Sequence, residues 1–188
     1  MNYENKHTKE KHRIMATFAR GRILDVGCAD SPNQFLNTAV GLDLVDFTAS
    51  NYSLAIKGNA ESMSKVVHTQ FDTILSGSMI EHLENPSSFL QECQKLLKPG
   101  GLLVLASPNA CYPLYVLSEL FQAPKFIDDD HLFLFPYRIM LKLLKRNNWR
   151  VDEVVGIGLG SKVLPNLWRY SLIYVCRSEL NEKENKLD

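Results

Sequence analysis

The 188-residue sequence predicts a parallel α/β sheet, and three observations carry that prediction. Short apolar runs alternate with helical patterns through the middle of the chain, which is how strand–helix–strand units read. Each run ends in a small or polar residue, as strands do when their carboxyl ends open onto a ligand crevice. Two further β-rich runs follow one another late in the chain and predict a hairpin-like pair closing one sheet edge.

Residues 1–20 are expected to form an N-terminal helical segment. Arg22–Gly27 (RILDVG) is a compact apolar run ending in glycine and predicts a buried first strand. Ala39–Leu44 predicts the second strand and Ser53–Lys57 a weaker third, while Phe71–Ser76 and Leu102–Ser107 complete a set of five. Pro86–Lys98 predicts a helix, with Asn85 as cap, Pro86 at its first position and Pro99-Gly100-Gly101 ending it. Phe89, Leu90, Cys93, Leu96 and Leu97 fall on one stripe, and burying such a face stabilises by roughly 1.5–3 kcal/mol per large side chain. A second helix is expected over Pro136–Arg146 with Ile139 and Leu143 inward, followed by late strands at Trp149–Val155 and Tyr170–Cys176. Residues 1–177 are expected to make a single domain, with 108–135 an insertion on the substrate side and 178–188 a polar tail.

Composition narrows the function classes. Lys+Arg 21 against Asp+Glu 21 leaves no formal net charge, so there is no electrostatic footprint for nucleic acid. The most apolar stretch, Ala110 to Phe121, is interrupted by Pro113, Ser118 and Glu119 and is too short to span a bilayer. Cys28, Cys93, Cys111 and Cys176 are scattered without a CxxC pair, which argues against a disulfide framework or a structural zinc site. The N-terminal MNYENKHTKEKHR lacks the apolar core of a signal peptide. A cytoplasmic protein is expected.

The chemistry starts where the first strand runs into DVGCADS. Gly27 lets backbone approach a ligand closely. A dinucleotide loop would want glycine where Ala29 stands, and the acidic Asp30 would repel a pyrophosphate. A cofactor without phosphates, carrying an amino acid and a sulfonium cation, meets no such objection. Asp43 closes the second strand, where a carboxylate can accept hydrogen bonds from both ribose hydroxyls of an adenosine; the bland alternative is a cap on the next turn. After the third strand comes Gly58-Asn59-Ala60-Glu61, a turn whose Asn59 and Glu61 could meet an adenine edge, or one that simply starts a helix. Taken together, acidic or small residues at successive strand ends are harder to explain as core.

The order ILDVGCAD, VGLDL, GNAES and FDTILSGSMIEHLENPSSFLQECQKLLKPGGLLVLASPN resembles the class I S-adenosylmethionine-dependent methyltransferases of the type 11-like branch. The resemblance covers Arg22 to Asn109 and is most specific in IEHLENPSSFLQECQKLLKPGG. It implies a Rossmann-like fold: a mostly parallel seven-stranded sheet with helices on both faces and an antiparallel last strand. It implies S-adenosyl-L-methionine as cofactor, with Asp25, Gly27 and Cys28 at the methionine end, Asp43 at the ribose, and Ala60 and Glu61 at the adenine; Ala29, Leu44 and Asn59 are further cofactor-binding candidates. Ser76, Gly77, Ser78 and Met79 would lie beside the sulfonium. The usual acidic-x-G-x-G-x-G pattern here reads Asp25-x-Gly27-x-Ala29-x-Ser31, which keeps a degenerate, non-catalytic cofactor binder as the first alternative. An NAD-dependent oxidoreductase is the second.

The expected reaction is methyl transfer to a small-molecule, lipid or glycan acceptor, at a hydroxyl oxygen. His131 is the candidate base, since an imidazole can take a proton from an acceptor hydroxyl; the bland alternative is a loop histidine after Asp128-Asp129-Asp130. His82 in IEHL is either a second catalytic candidate or an anchor that orders its turn through a backbone hydrogen bond. No metal is expected, because the Asp run lacks a surrounding ligand pattern. Tyr112, Tyr115, Phe121 and Phe126 could wall an acceptor pocket or make core.

Overall fold

The computed structural model describes residues 3–121, 130–158 and 168–180. Its single sheet runs β3-β2-β1-β4-β5-β7-β6, built from β1 (Ile23–Val26), β2 (Ala39–Asp43), β3 (Tyr52–Lys57), β4 (Phe71–Gly77), β5 (Leu97–Pro108), β6 (Trp149–Gly158) and β7 (Arg169–Ser178). Pairing is parallel from β3 across to β5. β7 is antiparallel to both of its neighbours, β5 and β6. The chain winds outward from β1 to β3 and then returns to place β4 on the other side of β1. That reversal puts a topological switch point between β1 and β4, and a crevice at their carboxyl ends.

Among the described residues the α-helices are α1 (Tyr3–Phe18), α2 (Pro86–Leu96), α3 (Pro113–Phe121) and α4 (Tyr137–Arg146), with short 3₁₀ turns at Ala60–Lys65 and Ile80–His82. The period-2 alternation of strands divides the core between two faces. Leu24, Val26, Ile74, Leu103 and Leu105 point to one face and pack with Phe89, Leu90 and Cys93 of α2 and Met140 and Leu144 of α4. Leu75, Val104 and Ala106 point to the other, where Met15 of α1 covers them. Asp25 shares the parity of that second face, so its carboxyl is directed toward α1.

α2 follows its local signals at one end and departs from them at the other. Asn85 caps it by accepting a hydrogen bond from the Ser88 backbone N–H at 3.1 Å, and Pro86 occupies the first turn. The expected exit at Pro99-Gly100-Gly101 is overturned: the helix stops at Leu96, and Leu97–Pro108 is strand. The KPGG segment is a bulge in that strand, for β5 pairs Leu97 with Phe71 and then slips to pair Leu102 with Thr73. Gly100 sits there at φ +75°, a conformation glycine adopts without cost. α4 differs in rotation. Ile139, expected inward, is 47% exposed, whereas Met140 and Leu144 are fully buried one turn apart and Leu143 is half-buried beside them. No described helix is long and apolar enough to cross a membrane.

Candidate active site

A cleft of about 740 Å³ opens at the carboxyl ends of β1, β2 and β4. Asp25, Gly27, Cys28 and Asp43 line it from the first two strands, and Gly77, Ser78 and Met79 from the end of β4. His82 and His131 also line it, and α1 contributes Thr8, Lys11, His12 and Met15.

The turn after β1 explains both its glycine and its lack of others. Gly27 has φ +74°, and a Cβ there would sit 2.5 Å from Met79 Cγ, so any side chain would both strain the backbone and invade the cleft. Among described non-glycine residues only Thr38, Ser78 and Asn148 have positive φ. Ala29 and Ser31 therefore adopt ordinary backbone, and the turn needs no glycine at either place. Asp43 Oδ2 accepts the Ala29 backbone N–H at 2.8 Å, which ties the turn to the end of β2. Its Oδ1 meets only the Val45 N–H, at 3.4 Å, leaving acceptor capacity on a half-buried carboxylate. An adenosine ribose asks for that arrangement, and the adjacent Asp30 disfavours phosphates; the residues present fit S-adenosylmethionine.

Below the turn lies a set of buried charges. The Tyr52 hydroxyl donates to Asp25 Oδ2 and itself accepts the Asn33 N–H at 2.9 Å. Gly41 makes this reach possible, since a Cβ there would lie 2.7 Å from the Tyr52 ring. Burial pushes the Asp25 carboxyl up to about 6, against the lowering effects of Tyr52 and Lys11. Lys11 Nζ donates to Ser78 Oγ at 2.8 Å, and burial lowers its pKa while the charges of Glu81 and Asp25 raise it. Ser78 is held at φ +62°, a conformation costly for a non-glycine residue and common where a site dictates the backbone.

The turn after β4 carries Glu81 and His82. Glu81 is fully buried, and neither carboxyl oxygen has a hydrogen-bond partner of ordinary geometry. Burial pushes its carboxyl up to about 7, opposed by its own backbone N–H, Lys11 and Ser107. The Glu81 carbonyl accepts the backbone N–H groups of Leu132 and Phe133 at 2.9 and 3.0 Å, which pins the segment bearing His131 against the turn. His82 Nδ1 lies 3.2 Å from the Asp130 carbonyl, so the anchoring expected of His82 is present. A carbonyl can only accept, hence Nδ1 carries the proton and Nε2 keeps its lone pair in the neutral ring. The two imidazoles meet edge to face with centroids 4.6 Å apart.

The remaining expected positions sit outside the cleft lining. Asn59 caps a short 3₁₀ turn by accepting the Glu61 N–H at 2.7 Å, and Glu61 accepts the Asn85 N–H at 2.9 Å. Ala60 is buried in the core, Leu44 is exposed one residue beyond Asp43, and Ser76 is buried within β4. Tyr112 and Tyr115 meet edge to face at 5.2 Å, and Tyr115 borders an apolar cavity of about 370 Å³ with Val116, Leu120 and Leu134. Phe121 is 73% exposed, and Phe126, Asp128 and Asp129 lie outside the described residues, as do 181–188 of the expected tail. Sequence reasoning missed Lys11, His12 and Met15, whose place over the cleft no local pattern reveals. It also passed over Glu81, for which an acidic residue between Ile80 and His82 was the available signal.

Residues 2–154 match the family described as a methyltransferase domain. The ubiquinone biosynthesis O-methyltransferase of Maricaulis maris is 32% identical over 52% of this chain and 44% of its own length. That of Dechloromonas aromatica is 27% identical over 83% of this chain and 74% of its own. The chain thus spans less than half the length of the Maricaulis relative. Among solved structures, a SAM-dependent methyltransferase from Archaeoglobus fulgidus superposes with TM-score 0.69 at 14% identity, covering 93% of this chain and 97% of the other. The glycopeptide N-methyltransferase MtfA complexed with S-adenosylmethionine gives TM-score 0.65 at 13% identity, covering 92% and 94%.

Proposed function

The chain belongs to the methyltransferase-domain family of class I S-adenosylmethionine-dependent enzymes, and from that premise we propose that it methylates a hydroxyl oxygen of a small-molecule acceptor. One observation carries the reading: the adenosine-type station at Asp43 and the pair His82 and His131 line a single cleft. When bound, S-adenosylmethionine supplies an electrophilic methyl group on a sulfonium sulfur.

The protein's own part is mostly positioning, which can remove roughly 7–11 kcal/mol of barrier. Asp43 holds the ribose diol, and the glycine at position 27 keeps the turn open for the methionine end. Ser78 and Met79 border the place where the methyl group is presented. His131 takes the acceptor proton, an assistance worth about 10²–10⁴-fold, and His82, fixed through Asp130, holds that ring in place. The hydroxyl acceptor is supported by the O-methyltransferases among the relatives, and its small size by the neutral charge balance, which gives a polyanion nothing to grip. The free thiols of Cys28, Cys93, Cys111 and Cys176 support a reducing, cytoplasmic setting.

Calorimetry with S-adenosylmethionine, its demethylated product and NAD in parallel tests the cofactor, and transfer of a labelled methyl group to catechol-type and other hydroxyl acceptors tests the reaction. Asp43→Ala is expected to weaken cofactor binding by roughly 10–100-fold, the loss of hydrogen bonds to a charged acceptor. Binding of NAD instead, or wild-type affinity in Asp43→Ala, contradicts the proposal.

A further inference from the structure

Tyr52 opens β3, an edge strand, yet its hydroxyl reaches across β2 to the Asp25 carboxyl on β1. We propose that Tyr52 is a positioning residue for the cofactor, holding one oxygen of Asp25 so that the other binds the ammonium group of the methionine end. The inference rests on the S-adenosylmethionine reading and adds to it the residue that orders the methionine subsite. Asp25 lines the cleft while only 6% exposed, and Tyr52 engages its Oδ2, which leaves Oδ1 for a ligand. Tyr52 itself is outside the lining, so it acts through Asp25.

The reach is built into the strands. Gly41 is the β2 residue in register with Asp25, and a Cβ there would lie 2.7 Å from the Tyr52 ring. Glycine inside a strand is destabilising relative to alanine, and here it clears the path of one side chain. The ring also meets Phe47 edge to face at 6.5 Å. The hydroxyl is used in both directions, donating to Asp25 and accepting the Asn33 N–H at 2.9 Å. Asn33 in turn donates its side-chain amide to the His12 carbonyl of α1 at 3.1 Å. Asn51 donates to the Asn33 and Leu36 carbonyls at 2.9 and 2.8 Å. No helix lies between β1 and β2, so these side chains order the segment that follows the turn. Tyr52 joins that segment to the carboxylate.

Charge is the reason a hydroxyl is needed at this place. A buried carboxyl without hydrogen bonds protonates, and a neutral carboxyl attracts an ammonium ion only weakly. Burial pushes Asp25 up to about 6, and Tyr52 leads the groups that oppose the rise, ahead of Lys11 and the Asn33 N–H. On α1, burial keeps the His12 ring neutral, and Lys11 is shared between Asp25 and Glu81 while its Nζ donates to Ser78 Oγ. On the turn, burial and the charges of Asp25 and Asp43 keep the Cys28 thiol protonated. Loss of the Tyr52 hydroxyl therefore moves the Asp25 titration to higher pH.

The experiment measures calorimetric binding of two ligands across a pH range spanning 6. S-Adenosylhomocysteine carries the amino acid, and 5′-methylthioadenosine lacks it. With wild type, S-adenosylhomocysteine is expected to lose affinity as pH falls through about 6, while methylthioadenosine stays level. Tyr52→Phe is expected to weaken S-adenosylhomocysteine on the order of 10-fold near neutral pH, to move its midpoint upward, and to leave methylthioadenosine within about twofold. Gly41→Ala, which displaces the Tyr52 ring without deleting its hydroxyl, should reproduce that pattern, and Asp25→Asn should show the selective loss without the pH dependence. Circular dichroism matching wild type qualifies each variant. Equal weakening of both ligands, or of neither, overturns the positioning role and leaves the cofactor reading standing, as does a level wild-type profile for S-adenosylhomocysteine. A wild-type protein that binds neither ligand overturns the cofactor reading and this inference with it.

Discussion

At Gly27 two constraints coincide, a backbone at φ +74° and a Cβ position 2.5 Å from Met79 Cγ. Gly27→Ala is expected to cost ~1–2 kcal/mol of stability from the left-handed conformation alone. It should also weaken cofactor binding, because Met79, which lines the cleft, must move to make room. Denaturant unfolding and calorimetry on the same variant measure the two effects. His12 carries a pH signature: burial, reinforced by Lys11, lowers its pKa from 6.5 to about 4. Its folded value lies below its unfolded value, so the unfolded chain binds more protons between pH 6.5 and about 4. The buried neutral ring therefore costs nothing above pH 6.5 and ~3 kcal/mol once pH falls through about 4. His12→Gln should lose less stability than wild type over that window, and parallel unfolding curves across it would rule the assignment out.

On the scale of elements, α2 is the helix with the most complete local specification. Its cap, its proline and its apolar stripe all agree, and Asn85 also donates its backbone N–H to Glu61. Asn85→Ala is expected to cost about 1 kcal/mol, the usual worth of an N-cap side chain, with Asn85→Ser recovering most of it. Thermal melts of the two variants check this. The stripe of α2 was legible because periodic apolar residues need no knowledge of the rest of the chain. Its exit was not legible. KPGG reads locally as a helix stop, and only pairing with β4 reveals it as a bulge inside a strand. In α4 the same limit shows as Ile139 and Met140, adjacent apolar residues whose fates depend on how the helix is rotated over the sheet.

Across the whole molecule, the cleft joins α1, the β1 turn, β2 and the end of β4, so a ligand bound there should be felt as global stability. S-Adenosylmethionine at a hundredfold excess over its Kd is expected to add about 2.7 kcal/mol. For a chain of this size that raises Tm by roughly 5–10 °C. Differential scanning fluorimetry measures it, and an unchanged melting curve at saturating ligand would contradict binding to the folded state.

Strand positions, the α2 cap and the placing of Gly27 and Asp43 at strand ends were determined by the sequence itself, because each depends on neighbours a few residues away. Alternation, a turn glycine and a carboxylate at a strand end are local facts. Tertiary structure alone decided that Lys11 and His12 lie over the cleft, since α1 carries no mark of the face it will cover. It decided that Ala29 needs no glycine, which only the observed backbone angles reveal. It also decided that Glu81, His82 and His131 meet: nearly fifty residues separate the last from the first two, and the bonds from Leu132 and Phe133 to the Glu81 carbonyl are what close that distance. Long-range backbone pairing of this kind leaves no periodic trace in a sequence, and the meeting of these side chains at the cleft wall depends on it.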